Sequence, residues 1–329
     1  MKLWYFGSDA LSLRLLQRLG KQRSFEEVLV VTPPDRPQGR SKSPSPCVLK
    51  LGAKEMGLRV IDAPGVAPRP LDLDWDPEIL SSPKPPSAVG IVFSFGYFMP
   101  KPIIDSFGAG GGMVNLHPSL LPRYRGASPI QHALMNHDSE TGVSLIKLHE
   151  SKFDCGEVLK QARIALDRNS TYTLVSESLV DLGGDLLIDL LSNTSNWQGI
   201  AQTSSNACFA PKIDRNKLMQ VYFTKDSETT IWGKFRALEQ VKAAFQHNPN
   251  TKVSMFGVLP GDLNVLGEPG DVIFDSQGVL WVKPVGKGWL SIHTLQVEGK
   301  RMVTAQEFFN GHLAKLGLHN NGIIRAVFI

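Results

Sequence analysis

Apolar positions in the first half of the chain come in two alternating kinds. Short unbroken apolar runs occupy residues 3–6, 28–32, 87–95 and 113–117. Between them, residues 10–19 and 47–56 space their apolar side chains at helical intervals, with Ser8 or Asp9 placed to cap the first helix. Residues 58–62 add another strand. Runs without polar alternation suit strands covered on both faces. Strands alternating with helices predict parallel βαβ units in a doubly wound, mostly parallel α/β sheet. Two further strands are expected at 141–148 and 158–166, around an irregular stretch at 149–156. A long amphipathic helix is expected over 171–191, with Leu174, Leu179, Leu182, Leu186 and Leu190 among its apolar positions.

The pattern then changes. Residues 192–205 are rich in Ser, Asn and Thr, which places a catalytic-type domain at 1–205, a linker at 206–220 and a second domain at 221–329. In that last third, residues 231–245 read as one helix. Short strands bounded by Gly and Pro follow at 271–274, 279–283 and 289–295, the pattern of a small β-barrel or sandwich. A helix over 304–316 closes the chain. The proline-rich stretch 62–86 reads as a long surface connection.

Composition narrows the class. With 42% apolar and 20% charged residues the chain is neither disordered nor membrane-spanning, since no apolar run approaches the roughly 20 residues a bilayer demands. Cys47, Cys155 and Cys208 form no disulfide framework and no metal-ligand spacing, so a reducing compartment and no metal are expected. Met1 leads directly into an apolar strand, without an Arg/Ser-rich, acid-poor leader or a signal-type apolar region. The net charge of +4 is unevenly placed: residues 206–329 hold 14 basic and 10 acidic side chains, and the preceding residues balance. Such an excess serves solubility or faces a polyanion, and charge alone leaves both open.

Three places carry candidate chemistry. Asn115 and His117 end the 113–117 strand two residues apart, so their side chains point the same way at the carboxyl edge where parallel sheets bind ligands. An amide and an imidazole together suit a developing oxyanion, or are simply a satisfied strand end. Arg123-Tyr-Arg125 before a helix start suits an anion or a planar ligand, or an ordinary solvated helix entry. Asp154, beside Gly156, is a turn residue unless the fold brings it to His117; there it would orient and charge the imidazole. Gly96 follows a strand and would let a ligand approach the backbone. The run from Gly108 to Gly112 precedes a strand and lacks G-x-G-x-x-G spacing, which disfavours a dinucleotide fingerprint. The loop at 35–46 carries Arg36, Arg40 and Lys42 among Pro, Gly and Ser, either a mobile loop or a phosphate-contacting arm.

Taken together, N-x-H-x-S-L-L-P-R-Y-R-G-A-S-P-I from Asn115, Glu140-Thr-Gly-Val143 and F-D-C-G at Phe153 resemble the formyltransferase family that uses 10-formyltetrahydrofolate. The P-D-R-P-x-G-R loop and the stretch from Leu295 to Arg301, followed by Ala305-Gln-Glu, resemble the branch that acts on methionyl initiator tRNA. The resemblance implies a Rossmann-like formyltransferase domain followed by an OB-like barrel. It carries the catalytic roles to Asn115, His117 and Asp154, and folate binding to Ser119, Leu120, Leu121 and Pro122, with Gly96 beside them. It carries tRNA contacts to Arg36, Arg40 and Lys42 in a loop slightly short for the branch. It implies a monomer with 10-formyltetrahydrofolate as formyl donor, methionyl initiator tRNA as partner, no metal and no membrane. The segment before Asp154 is slightly longer than in bacterial members. With Phe6-Gly-Ser-Asp9, that leans to the organellar branch and the mitochondrial matrix, against a bacterial cytoplasm or a plastid. Three other readings stand beside it: a folate-dependent formyltransferase or hydrolase with a small-molecule acceptor, a nicotinamide dehydrogenase, and a non-catalytic tRNA-binding module.

Overall fold

Asp9 starts the first helix by a side-chain cap: its carboxylate accepts the Ser12 N–H at 2.9 Å, satisfying one of the amide donors that open a helix. That helix, α1 (Ala10–Gln22), buries Leu15, Leu16 and Leu19 and connects β1 (Lys2–Phe6) to β2 (Glu27–Thr32). The computed structural model describes residues 1–37, 43–65, 88–107, 112–192, 197–245, 248–316, 323–324 and 327–328. A small ladder, β3 (Arg36–Pro37) with β4 (Pro44–Ser45), precedes α2 (Val48–Glu55) and β5 (Arg59–Asp62). Then come β6 (Ala88–Val92), α3 (Lys101–Ser106), β7 (Met113–His117), α4 (Pro129–Met135), β8 (Glu140–Lys147), β9 (Val158–Ala165) and α5 (Tyr172–Ser192). Most of the expected surface connection at 62–86 lies outside the described residues.

These strands form one sheet in the order β5-β2-β1-β6-β7-β8-β9. The first five run parallel, and β8 and β9 are antiparallel additions. Every residue of β6 is buried, as a strand covered on both faces must be, whereas the edge strand β9 alternates with solvent. Strand order reverses between β1 and β6, so the crevice at their carboxyl ends is where such a sheet accepts ligands. One face of the sheet is closed by a cluster that includes Phe6, Val31, Phe95, Ile103, Phe107 and Met113. On α5, a methyl group at Gly183 would lie 2.4 Å from Leu116 of β7, so the helix packs on that strand at backbone distance.

The chain divides into two compact units: residues 1–130, 139–166 and 173–212, and residues 131–138, 167–172 and 213–329. The second unit contains α6 (Arg215–Leu218), α7 (Glu228–Leu238), β10 (Val241–Phe245), β11 (Asn248–Gly261), β12 (Val272–Phe274), β13 (Leu280–Val282), β14 (Trp289–Val297), β15 (Met302–Thr304), α8 (Ala305–Phe308) and β16 (Ile323–Ile324). Its sheet runs β10-β11-β14-β13-β12-β16, antiparallel throughout, with β15 on β14. A bridge between Phe245 of β10 and Phe328, just beyond β16, draws the two ends of that order together, curling the sheet into a half-barrel around Phe223, Trp232, Val241, Met255, Leu290 and Phe308.

Two expectations are corrected here. The helix read over 231–245 ends at Leu238. Glu239 adopts a left-handed φ of 57° and donates its N–H to the Phe235 carbonyl, and the chain turns into β10. No glycine marks this stop, and Ala243-Ala244 looks helical, so only pairing with β11 makes the segment a strand. The helix read over 304–316 is regular only to Phe308, then widens into a π-turn and tightens into a 3₁₀ turn. Its start is well encoded, since Thr304 and Glu307 form a reciprocal capping box.

Segment 167–172 is held within the second unit by Arg236 of α7. This guanidinium is 4% exposed, and it donates from Nε to the Ser170 carbonyl and from Nη2 to the Asp167 carbonyl, both at 2.8 Å. Burial holds its pKa below the usual guanidinium range, while Asp167 opposes the shift. Arg236→Met removes both donors and leaves two carbonyls unmet, so a loss of about 2–3 kcal/mol is expected in chemical denaturation. A change below about 0.5 kcal/mol would refute the role. Among the described residues, no helix is long and apolar enough to cross a membrane.

Candidate active site

Asn115 and His117 lie on β7, paired with Ile146 and Ser144 of β8. The strand's two-residue repeat sends both side chains to one face, as the spacing predicts. Asp154 comes from the connection between β8 and β9, and the tertiary fold brings it to them. Its Oδ1 accepts the Asn115 Nδ2–H at 3.1 Å and stands 3.5 Å from His117 Nδ1. Its Oδ2 accepts the Gly126 N–H at 2.9 Å. His117 and Asp154 side chains retain only 5% and 10% exposure, so the pair sits where Coulomb interactions are weakly screened.

The His117 tautomer follows from its other edge. Nε2 lies 2.9 Å from the Tyr124 carbonyl oxygen, which can only accept, so Nε2 carries the hydrogen. Nδ1, facing the carboxylate, is then the nitrogen that can gain or lose a proton. Tyr124 presents its carbonyl from a left-handed φ of 60°, and its own N–H points to Cys208 Sγ at 3.2 Å.

Glycine is required at two positions of this loop system. Gly126 has φ 118°, and a methyl group there would meet the Ala210 carbonyl at 2.6 Å. At Gly156 it would lie 1.7 Å from the Lys147 carbonyl oxygen. Asp154 itself has φ 55°, a conformation that Asp tolerates better than most residues.

Leu121–Pro122 is cis, and the loop from Ser119 to Arg123 is internally tied. Ser119 is fully buried and its hydroxyl donates to the Arg123 carbonyl. The Leu121 N–H donates to Ser144 Oγ, and Gln161 Nε2 donates to the Leu121 carbonyl. Ser119 and Leu121 therefore shape the loop from inside, while Leu120 and Pro122 are half-buried. Gly96, with φ 74°, has open space where a side chain would stand, as close backbone approach by a ligand needs.

Arg36 borders a cleft of about 400 Å³ at the carboxyl ends of β1, β2 and β6, together with Ser8, Asp9, Cys47 and Phe95. Its Nη2 donates to the Tyr97 hydroxyl at 3.2 Å, which keeps the guanidinium against the domain. Arg40 and Lys42 lie outside the described residues. Arg125, a candidate anion contact by sequence, instead donates from Nε and Nη2 to Gln202 Oε1.

Sequence reading missed the residues that tie the site together from behind: Gly126, the Tyr124 carbonyl, Cys208 and Gln202. Gln202 lies in the Ser/Asn/Thr-rich stretch that ends the first domain, and no local pattern distinguishes it there.

Comparison with known proteins agrees with this arrangement. A family model described as formyl transferase matches residues 2–191, and one described as formyl transferase, C-terminal domain, matches 216–313. A methionyl-tRNA formyltransferase of Thermotoga maritima is 32% identical over 320 residues, 97% of each chain. One of Caldicellulosiruptor saccharolyticus is 31% identical, over 96% of this chain and 99% of that protein. Among solved structures, an N-formyltransferase from Helicobacter canadensis, in complex with folinic acid and dTDP-3-aminofucose, aligns with a TM-score of 0.61 at 16% identity. That alignment covers 89% of this chain and 98% of the other. The sugar 3N-formyl transferase WlaRD, with dTDP and 5-N-formyl-THF, aligns at 0.59 and 18% identity over 92% and 99%. At these identities the two structures speak for the fold alone. With both family domains matched in order along one chain, and relatives of the same length sharing nearly a third of its residues, the chain belongs to the formyl transferase family.

Proposed function

We propose that this chain transfers the formyl group of 10-formyltetrahydrofolate to the α-amine of methionine on initiator tRNA, the modification that marks that tRNA for translation initiation. The observation that carries the reading is the convergence of Asn115, His117 and Asp154 in a chain matched over its full length by methionyl-tRNA formyltransferases. The full-length relatives, named methionyl-tRNA formyltransferases at about 31–32% identity, support the tRNA acceptor over a small molecule.

The folate supplies the formyl group and the N10 leaving group. Asn115 spends one amide hydrogen on Asp154, and its second is available to the oxygen that becomes anionic as the amine adds to the formyl carbon. The attacking amine must be neutral, and an esterified amino acid's amine is less basic than a free one. As the new C–N bond forms, the amine gives up a proton, and His117 Nδ1, backed by the Asp154 carboxylate, is placed to take it. Returning that proton to N10 as the old C–N bond breaks completes the balance. Nε2 stays on the Tyr124 carbonyl throughout, so the ring keeps its orientation. Once Nδ1 holds the proton it can donate to Asp154 Oδ1, which stands 3.5 Å away in the resting site.

Arg36, Arg40 and Lys42, with the basic excess of the second domain, are proposed to meet tRNA phosphates. The mitochondrial matrix, as the home of an organellar-type member acting as a monomer, belongs to the same proposal. It rests on the sequence of the Phe6–Asp9 turn and the segment before Asp154.

The decisive experiment is a formyl-transfer assay with charged initiator tRNA against free methionine and an amino-sugar nucleotide. Transfer to the small acceptors at comparable rates would overturn the reading. Binding of the tRNA should also weaken steeply with salt: three phosphate contacts alone imply a loss of about 40-fold over a fourfold rise in salt. A flat salt response would remove the polyanion from the proposal.

A further inference from the structure

We infer that Gln202 is a positioning residue for the reaction, holding Asp154 in its working conformation and coupling it to Arg125. The inference rests on the formyl-transfer reading above. Gln202 Nε2 donates one hydrogen to the Asp154 carbonyl at 2.9 Å and the other to the Gly156 carbonyl at 2.8 Å. Its Oε1 accepts from Arg125 Nε at 3.0 Å and Nη2 at 2.7 Å. The amide orientation is unambiguous, because carbonyls cannot donate and a guanidinium cannot accept. All four hydrogen-bonding positions of the side chain are filled, so Gln202 has nothing left for a substrate and acts only through its neighbours.

Those neighbours set the geometry of the site. Asp154 sits at φ 55°, outside the conformations most residues prefer, and a backbone so placed persists only when its surroundings impose it. Gln202 clamps the carbonyls on either side of Cys155. Arg125 closes the ring from the opposite loop: its N–H donates to the Cys208 carbonyl and its own carbonyl accepts the Ala210 N–H. The next residue, Gly126, donates its N–H to the Asp154 carboxylate. The loops that present the His117 partner and the Asp154 carboxylate are thus tied twice, once through Gly126 and once through Gln202. The end of the first domain as read from sequence, around Gln202, supplies the second tie, and Cys208 and Ala210 just inside the expected linker brace Arg125.

Gln202→Glu tests this with little change of size. The glutamate keeps its Arg125 partner, so folding is supported, but it faces the two carbonyls with oxygen instead of N–H. Turnover should fall about 10²-fold, the cost of a small displacement of a catalytic group, with KM for donor and acceptor nearly unchanged. In an Asp154→Asn background the same substitution should change kcat by less than about twofold, because its route runs through that carboxylate. A general structural role would give equal losses in both backgrounds and a raised KM. Amide exchange at Gly126, which reports the Asp154 contact without any activity assay, should quicken by about tenfold or more. Gln202→Met, which keeps length and loses every hydrogen bond, should show the same pattern if Gln202→Glu misfolds. An active enzyme whose kcat is indifferent to both substitutions overturns the inference. A wild-type chain inert toward methionyl-tRNA overturns the functional reading instead, and Gly126 exchange still decides this one.

Discussion

Asp154→Ala is expected to lower kcat by about three orders of magnitude while the protein stays folded. The carboxylate meets Asn115, His117 and the Gly126 N–H at once, so its removal frees three groups together. His117 loses the anion that would stabilise the imidazolium formed when the amine gives up its proton. Asn115 loses the contact that aims its amide. Asn115→Ala is expected to cost about 3–4 kcal/mol of transition-state stabilisation, the usual worth of one oxyanion donor. The double variant should lose much less than the product of the two single effects, since residues acting as a unit are not additive. Survival of the fold is expected because, among the described residues, the one backbone group Asp154 satisfies with its side chain is the half-buried Gly126 N–H, which water can meet. Near-wild-type turnover in either single variant, measured with saturating donor and charged tRNA, would remove these residues from the chemistry.

Gly156→Ala is expected to be among the most damaging single-methyl substitutions in the first unit, costing about 3–5 kcal/mol. The added carbon would fall 1.7 Å from the Lys147 carbonyl oxygen. That carbonyl belongs to the end of β8, and the Lys147 N–H is already committed to the Glu157 carbonyl at 3.0 Å. Neither chain can yield without opening the β8–β9 junction, where the register already shifts between Leu145 and Ile146. The damage should reach catalysis as well, because the Gly156 carbonyl is one of the two that Gln202 grips. Gly20→Ala supplies the contrast: it lies in α1 with nothing within 4 Å of the added carbon, and should stabilise by about 0.5–1 kcal/mol. Equal denaturation midpoints for the two alanine variants would refute the packing argument.

Much of the fold is legible in the sequence. The buried strands β1, β2 and β6 announce themselves as nearly unbroken apolar runs, because a strand covered on both faces has no polar side to show. α1 and α8 announce their starts because a cap needs a particular side chain at a particular offset. What stayed hidden depends on pairing partners outside the segment itself. β10 is a strand only because β11 pairs with it. β11 was missed altogether, since Gly257 and Pro260 interrupt its pattern and its long pairing with β14 compensates.

The same division holds at the site. Sequence alone determined the fold class, the pairing of Asn115 and His117 on one face of one strand, and the motif that resembles a formyltransferase, because each is a matter of local spacing and residue type. Only the tertiary structure decided that Asp154 reaches them, that Nε2 of His117 is spent on the Tyr124 carbonyl, and that Gln202 from a patternless polar stretch secures the loop. The Asp154 and Gln202 contacts join segments 39 and 48 residues apart, the His117 contact needs the chain to fold back over seven residues, and a hydrogen bond at 2.9 Å leaves no trace in the order of residues along a chain.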